Sequence, residues 1–150
     1  MRSFSKLAAA TLGLTLAVAA CAKERRGAAD TTAAAPTAST TSGAPATPAA
    51  GGKVITINLI SDEKGNRFEP NEIEAHKGDV LRYTLVSGVH NVHFLPDSNP
   101  GKAGLPPASD MIQLPGQTYD VPVTFEEGHY YFQCDPHALL GMKGKLEVED

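Results

Sequence analysis

The fold class predicted for this 150-residue chain is an all-β sandwich, and three observations predict it. Seven short runs of apolar or alternating character lie between residues 54 and 148. Gly, Pro, Asp and Asn bound them at turns, and no long segment of helical period intervenes. Short strands at such spacing, with turn signals between them, indicate an all-β sandwich. The folding part is read as residues 53–150, enough for one compact but small domain.

Taken in order, residues 54–60 (VITINLI) are rich in β-branched side chains, which suit a pleated surface. Residues 72–75 form a short second run, closed by the turn Lys77-Gly78-Asp79, and residues 80–86 follow that turn as a third. The stretch 89–95, VHNVHFL, reads as a fourth strand. Its alternation sets His90, Val92 and Phe94 on one face and Asn91 and His93 on the other. Residues 96–110, PDSNPGKAGLPPASD, are the least regular stretch, a surface loop with room for one short helical turn. Residues 117–124, 129–134 and 145–148 complete the set. Counting back from Cys134 by twos gives Phe132 and Tyr130, so the thiol shares the inner face of its strand with two aromatic rings.

Upstream of residue 53 the chain changes character. Met1–Ala20 carries Arg2 and Lys6 and then an apolar stretch too short for a comfortable membrane span, so residues 1–20 read as a signal peptide. Its ending, Val18-Ala19-Ala20-Cys21, resembles a bacterial lipobox, which implies cleavage before Cys21 and lipidation of that cysteine. Lipidation also accounts for what would otherwise be a leftover thiol in an exported protein, and no disulfide is expected. Residues 22–52 are dominated by Ala, Thr, Pro and Gly, with almost no large apolar side chain. Such a segment buries too little surface to offset the entropy of ordering it, so residues 21–52 are expected to be a lipidated, disordered tether. Flexible-coil statistics give it a root-mean-square reach of roughly 30 Å.

From Lys53 on the chain carries eight basic and fifteen acidic residues, a net charge of −7. That balance argues against nucleic acid, which needs clustered Lys and Arg. It is compatible with steering toward a basic protein partner.

The chemistry is concentrated in residues 130–145, YYFQCDPHALLGMKGK, which set Cys134, His137 and Met142 at the spacing C-x2-H-x4-M. A thiolate, an imidazole and a thioether on one loop suit copper better than zinc. A trigonal His2Cys set with a weak axial Met is the ligand set of blue-copper electron-transfer sites. A second histidine must come from elsewhere. His76 and His129 sit at turns and read as solvated residues, while His93 faces outward. His90 shares the core-facing side with Val92 and Phe94 and is the candidate. A structural zinc site would normally use four Cys or His ligands. A cysteine hydrolase would need an oxyanion-hole or third-member signal beside Cys134 and His137, and none is visible.

These residues resemble the cupredoxins. The gaps of two and four residues among Cys134, His137 and Met142 resemble the plastocyanin and pseudoazurin branch, and His90-Asn91-Val92 reproduces its H-N-V segment. Phe68-Glu69-Pro70, Ile73 and Lys77-Gly78-Asp79 match an early pattern of such domains. The resemblance covers about two-thirds of the chain. It implies a Greek-key β-sandwich of about seven or eight strands, one type 1 copper held by His90, Cys134, His137 and Met142, and no enzymatic activity. It also implies that Asn91 helps to hold the loop near the Cys134 sulfur, and that electrons pass through an apolar patch around the loop histidine, here Leu139 and Leu140. Pro136 stiffens the loop and removes a backbone donor. Asp135 departs from the Ser or Thr usual there. Unpaired, its carboxylate would favour Cu(II) and lower the potential, whereas turned to solvent it would matter little.

The expected function is therefore a monomeric, membrane-tethered type 1 blue copper protein, exported to a periplasmic or other extracytoplasmic membrane face. It shuttles single electrons between partners such as c-type cytochromes or membrane oxidoreductases. The alternative is a copper carrier or storage protein without a fast redox partner.

Overall fold

The computed structural model describes residues 45–150, so the signal-peptide and Cys21 readings, and most of the tether, lie outside the described residues. Seven strands form two sheets: β1 (Val54–Asp62), β2 (Gly65–Glu69), β3 (Glu72–His76), β4 (Val80–Leu85), β5 (Thr118–Pro122), β6 (Gly128–Gln133) and β7 (Lys143–Glu149). One sheet has the order β2-β1-β4-β5 and the other β3-β7-β6. Among the described residues no helix is long and apolar enough to cross a membrane.

Each sheet is mixed. β1 runs parallel to β4 and antiparallel to β2, while β7 runs parallel to β3 and antiparallel to β6. Strand alternation sends Ile57 and Leu59 of β1, Tyr83 and Leu85 of β4, and Tyr130 and Phe132 of β6 inward, all buried. Phe132 packs edge-on against Phe68 and Tyr83, with centroids 4.9 and 5.5 Å away, an arrangement aromatic quadrupoles favour. Gly144 stands opposite Phe132 in the β6–β7 register, and a Cβ there would run into the Phe132 ring.

Three elements differ from the sequence expectations. β2 was absent from them, because its only large apolar residue, Phe68, sits among Gly65, Asn66, Arg67 and Glu69. Phe68 is buried, and the strand is held by its pairing with β1 rather than by its own alternation. Residues 89–95, expected to be a strand, make only two isolated bridges, His90 to Ile112 and His93 to Gln133. These cross-links keep the extended alternation without a continuous ladder. Residues 135–140, read only as loop, form a short 3-10 helix, Asp135–Leu140, closed by Gly141 at φ 93°. The irregular loop contains one short helical turn, Pro96–Ser98.

The folded part begins upstream of Lys53. Ala46 N donates to Asp120 Oδ2 at 2.7 Å, and Ala49 N donates to the Gly78 carbonyl at 2.9 Å. Asp120 also receives Arg82 at 2.8 and 2.7 Å, so one carboxylate joins β4, β5 and the incoming arm. This arm meets the sandwich at the start of β1 and β4, where Lys53 N donates to Asp79 Oδ1. The other end of β1 carries Ser61, which lies against Ser87 and His90 beyond the end of β4. The chain therefore enters at one pole, and the Cys134–Met142 loop occupies the opposite one.

Candidate metal centre

β6 delivers Cys134 to the loop pole on the same inward face as Tyr130 and Phe132, and the thiol is fully buried. The bridge between His90 and Ile112 brings His90 to the same place, also fully buried. His137 follows Pro136 in the 3-10 helix and is half-buried. The helix is folded back on its own ends: His137 N donates to the Cys134 carbonyl, Met142 N to the His137 carbonyl, and Cys134 N to the Met142 carbonyl, at 3.0 to 3.1 Å. Met142 is fully buried.

Three donor atoms converge. His90 Nδ1 lies 3.6 Å and His137 Nδ1 3.4 Å from Cys134 Sγ, and the two nitrogens are 3.1 Å apart. Among the described residues this is the group of His, Cys, Asp and Glu side chains able to hold a metal ion. Donors each about 2.0–2.3 Å from one shared cation would show separations of this size. Residue chemistry and geometry thus fit a soft, imidazole-accepting metal, and Met142, fully buried at the end of the same loop, is a thioether of the kind such a metal takes.

The orientation of His90 supports the same fit. Its Nε2 lies 3.0 Å from both the Ser87 carbonyl and Ser61 Oγ. The Ser61 hydroxyl donates to Asn66 Oδ1, so it accepts from His90. The ring proton is thereby assigned to Nε2, and the Nδ1 lone pair faces Cys134. Burial pushes the His90 pKa down, partly opposed by the Ser87 carbonyl. Gly88, at φ 90°, leaves space for this contact; a Cβ there would meet Ser61 Oγ and lie 2.7 Å from His90 Nε2. In the sequence, the Ser87-Gly88 pair is visible only as a turn signal before His90, and Ser61 carries no signal at all.

Burial likewise pushes the Cys134 thiol up, opposed by hydrogen bonds from the backbone of Asn91 and His137. The Asn91 side chain is buried and forms a reciprocal pair with the loop: Asn91 Nδ2 donates to Asp135 Oδ2 at 2.8 Å, and Asp135 N donates to Asn91 Oδ1 at 2.7 Å. Strand alternation alone puts Asn91 outward; the loop folding over it removes it from solvent. Asp135 is neither unpaired nor simply solvated. His93 Nδ1 donates to both its oxygens at 3.0 and 3.1 Å, and Gln133 Nε2 donates to Oδ1 at 2.9 Å. Desolvation would raise its pKa, but the Gln133, Asn91 and His93 hydrogen bonds outweigh that and hold it below the usual carboxylate range.

The other candidates stand apart. His76 and His129 are exposed and face Glu149 and Glu147 at 3.7 and 3.9 Å. Leu139 is 100% exposed and Leu140 69%, an apolar step on the helix that carries His137.

Comparison with known proteins bears on this geometry. Residues 55–149 match the family described as copper binding proteins of the plastocyanin/azurin family. The chain is 34% identical to a plastocyanin of Solanum crispum over 63% of its length and 99% of the relative's. It is 34% identical to one of Cucumis sativus, again covering 63% of the chain and 99% of the relative. Among solved structures it resembles the oxidized plastocyanin of Dryopteris crassirhizoma, with a TM-score of 0.52, 30% identity, and coverage of 63% of this chain and all of that one.

Proposed function

The chain belongs to the plastocyanin/azurin family of copper-binding proteins, and from that premise we propose that it is a tethered one-electron shuttle whose single type 1 copper is held by His90, Cys134, His137 and Met142. It is a copper electron carrier of cupredoxin type and not an enzyme. Bound copper supplies the chemistry by alternating between Cu(II) and Cu(I). The protein supplies a cage that changes little between these states. His90 is locked by Ser61 and Ser87, Cys134 is set by a strand whose inner face is core, and the 134–142 loop is closed by its own backbone bonds.

The observation that carries this reading is the convergence of two imidazole Nδ1 atoms on a buried thiol at 3.4 and 3.6 Å. An electron enters or leaves through His137, which is half-buried on the same helix as Leu139 and Leu140. An exposed apolar patch of this kind marks a docking surface. Its partner is a redox protein such as a c-type cytochrome or a membrane oxidoreductase, and the −7 charge from Lys53 on favours a basic one. The signal-peptide, lipobox and tether readings of residues 1–52 support a domain held outside the cytoplasm on a lipid anchor. The Cu(II) protein is expected to show an intense thiolate-to-copper visible band, and a colourless Cu(II) form sinks the assignment. Rapid electron exchange with a cytochrome and slow copper loss are the expected kinetics; ready copper loss without exchange would favour storage.

A further inference from the structure

Asp135 places a carboxylate on the residue after Cys134, and both oxygens of that carboxylate are fully engaged. Oδ1 receives Gln133 Nε2 and His93 Nδ1, while Oδ2 receives Asn91 Nδ2 and His93 Nδ1. A carboxylate accepts only, so His93 must present an N–H at Nδ1. The His93 backbone is fixed independently, since its N donates to the Gln133 carbonyl at 2.9 Å and its carbonyl accepts from Gln133 N at 3.0 Å. Gln133 is in turn steadied by Tyr131, whose hydroxyl donates to Gln133 Oε1 at 2.9 Å. The side chains of His93, Gln133 and Asn91 thus reach Asp135 from two segments, 89–95 and the end of β6.

We infer that His93 is a positioning residue for the copper centre, acting through Asp135: it clamps the ligand loop to the segment bearing His90 and offsets the Asp135 charge beside the metal. The inference rests on the copper reading above. An anion next to the site stabilises Cu(II) over Cu(I), so a less well neutralised Asp135 lowers the reduction potential. Both roles run through one carboxylate. The effect of removing the His93 donor must therefore vanish when Asp135 is absent, which is the logic of a double-mutant cycle.

The test compares the wild type with His93→Leu, His93→Gln, Asp135→Ser and the double variant His93→Leu/Asp135→Ser. The midpoint potential is measured on copper-loaded protein, and the reaction rate of Cys134 with a thiol reagent on metal-free protein. His93→Leu should lower the potential, His93→Gln should recover most of the change by keeping an amide donor, and His93→Leu should produce no shift in the Asp135→Ser background. In the metal-free protein, loss of one hydrogen bond should raise the Cys134 rate about two- to tenfold. An unchanged potential in His93→Leu, or an equal shift with and without Asp135, overturns the inference. Gln133→Leu removes the other Oδ1 donor and carries the same comparison should His93→Leu not fold. A colourless Cu(II) wild type would fault the copper reading instead, and the metal-free thiol rates test the clamp in either case.

Discussion

A methyl group at residue 88 would press on Ser61 Oγ and on His90 Nε2, the two ends of the contact that orients the first imidazole. The positive φ of Gly88 adds strain for any other residue. Gly88→Ala should therefore reduce copper affinity about 10- to 100-fold, as loss of an outer partner of a metal ligand does. Competition with a chelator of known affinity measures this, and unchanged retention would show that His90 is held by something else. Replacing His90 should abolish the visible band, while His93→Ala should leave the protein blue, because His90 points its Nδ1 at Cys134 whereas His93 points its Nδ1 at Asp135; a colourless His93→Ala would reverse that assignment. His90 was legible in the sequence because Val92 and Phe94 mark its face as core. The partners of Asp135 were not. They depend on which side chains a closed loop brings into hydrogen-bond reach, 2.8 to 3.1 Å, and periodicity does not report that.

Elements rather than single residues decide how the pole opposite the metal responds to acid. Asp120 on β5 is held below the usual carboxylate range by the Arg82 side chain on β4, against desolvation and with help from Ala46 N. A depressed folded-state pKa contributes stability that is fully present above the unfolded value, near 3.8, and lost as pH falls through the folded one. Asp120→Asn should cost about 1–3 kcal/mol at neutral pH. The difference from the wild type should shrink below about pH 4, which urea melts across pH would reveal. A deficit that persisted in acid would assign it to packing. Strands with apolar alternation were readable one by one, as β4 and β6 show. β2 and the helix Asp135–Leu140 were not, since pairing with β1 makes one, and closure between Cys134 and Met142 makes the other.

At the scale of the whole molecule, two sheets assemble a site from residues 44 and 47 positions apart in sequence, so the centre exists only in the folded sandwich. If Cys21 carries lipid, intact cells should release the domain only after cleavage upstream of residue 45; soluble full-length protein would contradict the anchor. The arm fastened by Asp120 and Gly78 lies at the pole away from the Cys134–Met142 loop, with β1 spanning about 25 Å between them. That separation makes the protein a ready component for bioelectronics. A sensor surface or fused enzyme joined ahead of Ala46 would grip one end and leave the Cys134–Met142 loop facing solution, and β7 ends at the same gripped pole, beside β3.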